Sequence, residues 1–255
     1  MVTLSPLRLN GDNMMSGQAF TLLSYTFAEG VSTIKLDDGK ANVMSIKMLS
    51  EFNAALDQAE HNGGVVIITG NAKLLSGGFD LGVFKEGSPD EIYTMLSSGA
   101  RLSQRLLSFP LPTICACSGH AVAMGLFILL STDYRIGVEG ESKFAANEVA
   151  IGLTVPHFAI ETLRQRLTPA QLNKAVSFAY YFSTREALSA GILDELSPAD
   201  TLMGTALERA KMALALDADA HRNSKLRMRE ELLVRMEKAI DRDCDGWRDS
   251  YPATH

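Results

Sequence analysis

The stretch Pro112 to Asp133, PTICACSGHAVAMGLFILLSTD, constrains the fold more than any other part of the chain. All of it but the closing Asp133 lies within residues 106–132, which carry no formal charge, so it belongs inside either a bilayer or a protein core. Pro110, Pro112, Ser118, Gly119 and His120 would break a spanning helix at mid-bilayer depth. The expectation is therefore a protein core: a buried strand over 113–117, a tight turn at Ser118-Gly119, and an apolar helix entered through Ala123-Met124-Gly125. A strand, turn and helix in that order aim the free N–H groups of the helix's first turn into a pocket. A second glycine turn, Ser76-Gly77-Gly78-Phe79-Asp80, also follows a buried strand. If the two turns meet, they form an oxyanion hole, which stabilises negative charge growing on a carbonyl oxygen.

Around this centre the pattern alternates between strands and helices. Residues 22–27 and 31–36 alternate apolar and polar about Glu29-Gly30, as in a β-hairpin. Met48, Phe52, Ala55, Leu56 and Ala59 mark a helix over 45–59 that Gly63-Gly64 ends. Residues 65–69 are the continuous apolar run of a parallel strand. A helix over 89–107 leads into the central stretch, and a strand over 134–138 leaves it. Helices follow near 157–166, 169–178 and 185–190, with a short strand at 194–196. Beyond Pro198 the helices are long and charged. Leu226, Leu233 and Ile240 recur every seven residues with Met236 between them, a stripe that needs a partner surface. The whole reads as α/β with an all-helical end.

A formal net charge of −6 offers nucleic acid no polycation and anionic membranes no basic face. Three cysteines cannot all pair within one chain, and the amino-terminal residues lack the apolar core of a signal peptide, so a cytoplasmic location is expected. No dinucleotide or P-loop glycine pattern occurs, and no HExxH. Cys115 and Cys117 share one face of a strand with no metal ligands nearby. Ser118 beside His120 lacks the elbow of a serine hydrolase.

Several motifs together resemble the crotonase superfamily, the enoyl-CoA hydratase/isomerase family. They are Lys40-Ala41-Asn42, Ser76-Gly77-Gly78-Phe79-Asp80, Gly119-His120-Ala121 leading to Gly125, Thr132-Asp133-Tyr134-Arg135, and Asn147-Glu148-Val149-Ala150-Ile151-Gly152 continuing to Pro156. The resemblance runs from about Leu22 to Leu196. It implies a crotonase-like superhelix of repeated ββα units over 21–198, preceded by a loose arm (1–20). A C-terminal helical region (199–255) then builds a homo-oligomer, a trimer or a dimer of trimers. The implied substrate is an acyl-CoA thioester, with coenzyme A as part of the substrate and no separate cofactor or metal.

The same resemblance implies that Phe79 and Met124 supply the two oxyanion-hole N–H groups, with Ser76, Gly77, Gly78 and Gly125 shaping the substrate site. Lys40 and Lys85 are candidates for the CoA phosphates, and Phe127 and Phe158 for the acyl pocket. Hydratases of the family hold a water between two glutamates. The first of these positions is Phe127 here, and the second is Glu148. One acid can still take a proton from C2 of a 3-enoyl thioester and return it at C4, as in Δ3,Δ2-enoyl-CoA isomerases of the mitochondrial type. Ala145, Ala146, Val149, Ala150 and Ile151 surround Glu148 in sequence, and desolvation by them would raise its pKa. Two other readings stay open at this point. One is a hydratase or other crotonase-type enzyme that draws a second carboxylate from Glu139 or Glu141. The other is an acyl-CoA binder without catalysis. Asp80 is expected to cap the next segment, and His120 to serve the turn.

Overall fold

The computed structural model describes residues 20–251; the expected arm lies outside the described residues except for Phe20. The chain opens with the hairpin β1 (Leu23–Ala28) and β2 (Val31–Leu36), then α1 (Ile46–Asn62), capped by Ser45 and closed at Gly63. Next come β3 (Val65–Thr69), β4 (Leu74–Ser76), α2 (Leu81–Glu86) and α3 (Pro89–Ser108). The central stretch forms β5 (Thr113–Cys117), β6 (His120–Val122) and α4 (Met124–Ser131). It is followed by β7 (Tyr134–Val138), β8 (Lys143–Ala145), a 3-10 turn (Glu148–Ile151) and α5 (His157–Arg164). The remainder is α6 (Pro169–Ser177), β9 (Phe182–Ser183), α7 (Thr184–Ala190), β10 (Glu195–Ser197), α8 (Leu202–Leu214) and α9 (Ala218–Ser250).

Two sheets divide these strands in a regular way. A six-stranded sheet runs β1-β2-β3-β5-β7-β10, and a four-stranded sheet runs β4-β6-β8-β9. Thus β3/β4, β5/β6 and β7/β8 each give their first strand to the large sheet and their second to the small one. This is the repeated ββα superhelix. The two-residue and three-residue strands of the small sheet escape the sequence pattern, because so few residues cannot establish a period.

The large sheet is apolar on both faces, as its inner parallel strands require. Val66, Ile68, Cys115 and Cys117 face the main core. Val65, Ile67, Ile114 and Ala116 face Leu202, Ala206 and Ala210 of α8. All three cysteines are free and buried. Burial pushes the Cys117 thiol up to about 12, which leaves it an inert core residue.

Helix α9 packs along α3 and α5 of its own chain. Its buried line is Leu232, Met236, Ile240 and Cys244; Leu226 and Leu233 of the expected heptad stand only at its flank. Two turns of that face belong instead to Lys225 and Arg229, whose apolar stems are buried and whose charged ends reach Asp133. Asp133 Oδ2 accepts from Lys225 Nζ at 2.7 Å and from the Thr113 N–H at 2.8 Å, while its Oδ1 meets Arg229 Nη1 at 2.9 Å.

Further along α9, Asp243 accepts from the N–H groups of His157 and Phe158, both at 2.8 Å. It therefore caps α5, whose own N-cap residue is Pro156 and offers no side-chain oxygen. Burial raises the Asp243 pKa, opposed by these two N–H groups. Asp243→Ala is expected to cost about 1–2 kcal/mol of unfolding free energy, measured by denaturant titration. Among the described residues no helix is long and apolar enough to cross a membrane.

Candidate active site

The small sheet positions the site. Strands β4, β6 and β8 are adjacent and parallel, so their carboxyl ends fall side by side. From β4 the chain enters Gly77-Gly78-Phe79; from β6 it enters Ala123-Met124; from β8 it enters Asn147-Glu148. Each ββα unit thus delivers one chemical element to the same place. Ligand sites commonly form where parallel strands end in this way.

At the first turn, the Gly77 N–H donates to the Ala41 carbonyl at 2.9 Å, and the Gly78 N–H donates to Ser76 Oγ at 3.1 Å. The Gly78 carbonyl accepts from the Met44 N–H at 2.8 Å. Gly78 has φ 106, a conformation open to glycine. A β-carbon on it would stand 2.9 Å from Ala123 Cβ and 3.7 Å from the Met124 nitrogen. The two glycine turns therefore meet.

The second turn holds a strained residue. Ala123 has φ 49 and ψ −122, a conformation that an L-residue adopts at a cost of ~1–3 kcal/mol. Three hydrogen bonds hold it there. Its N–H donates to the Ala145 carbonyl at 2.7 Å, and its carbonyl accepts from Leu126 at 2.9 Å and Phe127 at 3.1 Å. Met124 then begins α4, where the first N–H groups have no intrahelical partner. Among the described residues, neither the Phe79 nor the Met124 amide finds an acceptor. Gly125 allows the close approach: a β-carbon there would lie 2.4 Å from the Ser76 carbonyl oxygen.

Facing these turns is a cavity of about 380 Å³. Gly77, Phe79, Ala123, Asn147 and Glu148 form its polar end, and Phe84, Leu96, Pro156 and Trp247 are apolar wall. Leu81 and Ile151, each about half exposed, also line it. The Phe79 ring packs over Gly99 of α3. Among the described residues Glu148 is the only carboxylate in the lining, and it is 7% exposed. Its Oε2 is buried without a hydrogen-bond partner, and burial pushes its pKa up to about 7. That direction is the expected one, but only part of the expected surroundings contributes. Ala145 and Ala146 are buried, whereas Val149, Ala150 and Ile151 on the 3-10 turn are exposed, Ile151 at the cavity's lining.

Other expected contacts fall elsewhere. Phe127 and Phe158 are fully buried behind the cavity, edge to face at 5.7 Å, and do not line it. Ser76, Gly78, Met124 and Gly125 sit behind the surface and shape it through backbone. Lys40 and Lys85 are exposed and outside the lining. Glu139 and Glu141 are also exposed, away from the cavity. Asp80 caps α2 by accepting from the Gly82 N–H at 2.9 Å, and His120 Nδ1 accepts from the Lys143 N–H at 2.9 Å.

The lining also includes Trp247, Ser250 and Tyr251 from the end of α9, which the sequence reading leaves out. The available signal was the apolar line Met236, Ile240, Cys244: carried one step further it reaches Trp247, the sole tryptophan.

A model of the enoyl-CoA hydratase/isomerase family matches residues 26–248. A crystal structure of an enoyl-CoA hydratase from Mycobacterium marinum is 40% identical, with a TM-score of 0.83 over 90% of this chain and 99% of that one. A structure of a Mycobacterium tuberculosis enoyl-CoA isomerase is 37% identical, with a TM-score of 0.83 over 91% and 99%. Human mitochondrial enoyl-CoA delta isomerase 1 is 26% identical over 222 residues, 86% of this chain and 74% of that protein.

Proposed function

The chain belongs to the enoyl-CoA hydratase/isomerase family, and from that premise we propose that it is an enoyl-CoA isomerase that moves a C3 double bond of an acyl-CoA to C2. The observation that carries this reading is that Glu148 is the single carboxylate in the cavity lining among the described residues, with a fully buried Phe127 where the family's hydratases have their other glutamate. One carboxylate is enough to carry one proton between two carbons. Holding and activating a water for addition uses two.

The thioester carbonyl oxygen sits between the Phe79 and Met124 N–H groups. The Glu148 carboxylate takes a proton from C2, and the C–H electron pair moves into a dienolate whose negative oxygen the two amides hold. Glu148, now a carboxylic acid, gives that proton to C4. The carbonyl reforms, and the double bond lies between C2 and C3. A pKa near 7 suits a group that must first accept and then donate. The unpartnered Oε2 leaves the carboxyl free to pivot between the two carbons.

Because the reaction begins with the ionised form, kcat/KM for a 3-enoyl-CoA should rise about tenfold per pH unit below about pH 7 and flatten above it. A flat profile between about pH 5 and about pH 8 would contradict the assignment of Glu148 as base. The likeness to the M. marinum hydratase favours a second reading, water addition to a 2-enoyl-CoA, which direct comparison of the two substrates separates. The same family reading takes the chain as a homo-oligomer, a trimer or a dimer of trimers. Exposed Phe178, Met212, Leu216 and Met228 offer apolar surface for it.

A further inference from the structure

We propose that Trp247 is the stop that limits the acyl chain this cavity accepts, and that Asp243, one turn upstream, is the positioning residue that fixes where the stop stands. The inference rests on the acyl-CoA reading above and deepens it by naming short- to medium-chain thioesters as the substrate class.

Among the described residues, packed aromatic core stands behind Trp247. Its ring meets the Phe158 ring edge to face at 6.4 Å, and Phe158 meets Phe127 in the same way at 5.7 Å. Both phenylalanines are fully buried, so the stack is solid core rather than a branch of the cavity. At about 380 Å³ the cavity stands at the small end of ligand pockets, a size that matches a short to medium acyl chain better than a long one.

Trp247 is also held in place by more than packing. Asp243 lies four residues earlier on the same helical face, and its two oxygens take the N–H groups of His157 and Phe158. Apolar contacts tolerate sliding, whereas a carboxylate gripping two backbone donors fixes both the rotation and the height of α9 against α5. The residue that caps α5 thereby sets the distance between Glu148 and the far wall.

The test uses saturated acyl-CoA thioesters from butyryl to palmitoyl, whose dissociation constants calorimetry reads without turnover. Wild-type affinity is expected to climb roughly fourfold for each methylene buried, then to level off within the medium-chain range. In Trp247→Ala the climb should continue into longer chains. Trp247→Phe, which keeps a ring, should extend it by a smaller step and decides the matter should the alanine variant fail to fold. Asp243→Asn should blur and lengthen the levelling point. A levelling point unmoved in the Trp247 variants, or no acyl-CoA binding at all, overturns the stop. One that moves in them but not in Asp243→Asn overturns the positioning role of Asp243. A levelling point that behaves as expected in a protein that converts no 3-enoyl-CoA leaves the stop standing and removes the isomerase reading.

Discussion

Glu148→Gln is expected to lower turnover of a 3-enoyl-CoA by roughly 10³-fold while making the protein more stable above neutral pH. The loss follows from removing the only acid that the described residues place in the cavity lining. The gain follows from burial. In the folded chain the Glu148 pKa stands at about 7 against 4.5 for the free side chain, because desolvation penalises its charged form. Between those values the unfolded chain has already lost the proton that the folded chain keeps. Folding therefore takes up a proton, and the stability present below pH 4.5 is lost as pH rises through about 7. At about pH 8 the buried carboxylate costs ~3 kcal/mol. Glutamine carries no charge at any pH. The variant should be more stable by about that amount near pH 8, and by only about 1 kcal/mol near pH 5. Urea titrations of both proteins at the two pH values measure the difference. A residue that serves the fold alone would lose stability when replaced; Glu148 should gain it.

Gly125→Ala is expected to lower kcat by roughly 10²–10³-fold. The added β-carbon would stand 2.4 Å from the Ser76 carbonyl oxygen and 2.9 Å from the Ser76 carbonyl carbon, both backbone atoms that cannot rotate away. The start of α4 must therefore retreat from the first glycine turn, and the Met124 N–H retreats with it. The apolar wall is untouched, so KM should change far less than kcat, the signature of a contact made in the transition state. Gly204→Ala is the control. It also lies in a helix, but nothing stands within 4 Å of its added carbon, so that variant should keep its turnover and gain up to about 1 kcal/mol in stability. Should Gly125→Ala keep turnover within threefold of wild type, the Met124 amide is not part of the oxyanion hole.

The large sheet was legible because its inner strands are nearly continuous apolar runs: residues 65–69 and 113–117 leave few other places to go. The glycine turns were legible through chemistry that only glycine permits, close approach at Gly125 and a positive φ at Gly78. Glu148 was visible as the lone acid in an apolar segment. What stayed hidden was settled by distant packing. Nothing local tells that Val149 and Ile151 stand half exposed, or that Phe127 and Phe158 back the cavity rather than line it. The heptad Leu226, Leu233, Ile240 pointed to the correct helix but a shifted face, because Lys225 and Arg229 are drawn inward by Asp133, ninety-odd residues earlier in the chain. Trp247 joins the site because α9 docks on α3 and α5, with Asp243 bonded to the start of α5, a contact between segments with no shared pattern.

The most direct measurement supplies the wild-type protein with a 3-enoyl-CoA and, in parallel, a 2-enoyl-CoA, and follows double-bond migration in the first and water addition in the second. A lone Glu148 predicts rapid conversion of the 3-enoyl thioester and negligible formation of a 3-hydroxyacyl-CoA from the 2-enoyl thioester. Hydration of the 2-enoyl-CoA at a rate equal to or above the migration rate would contradict a one-carboxylate mechanism.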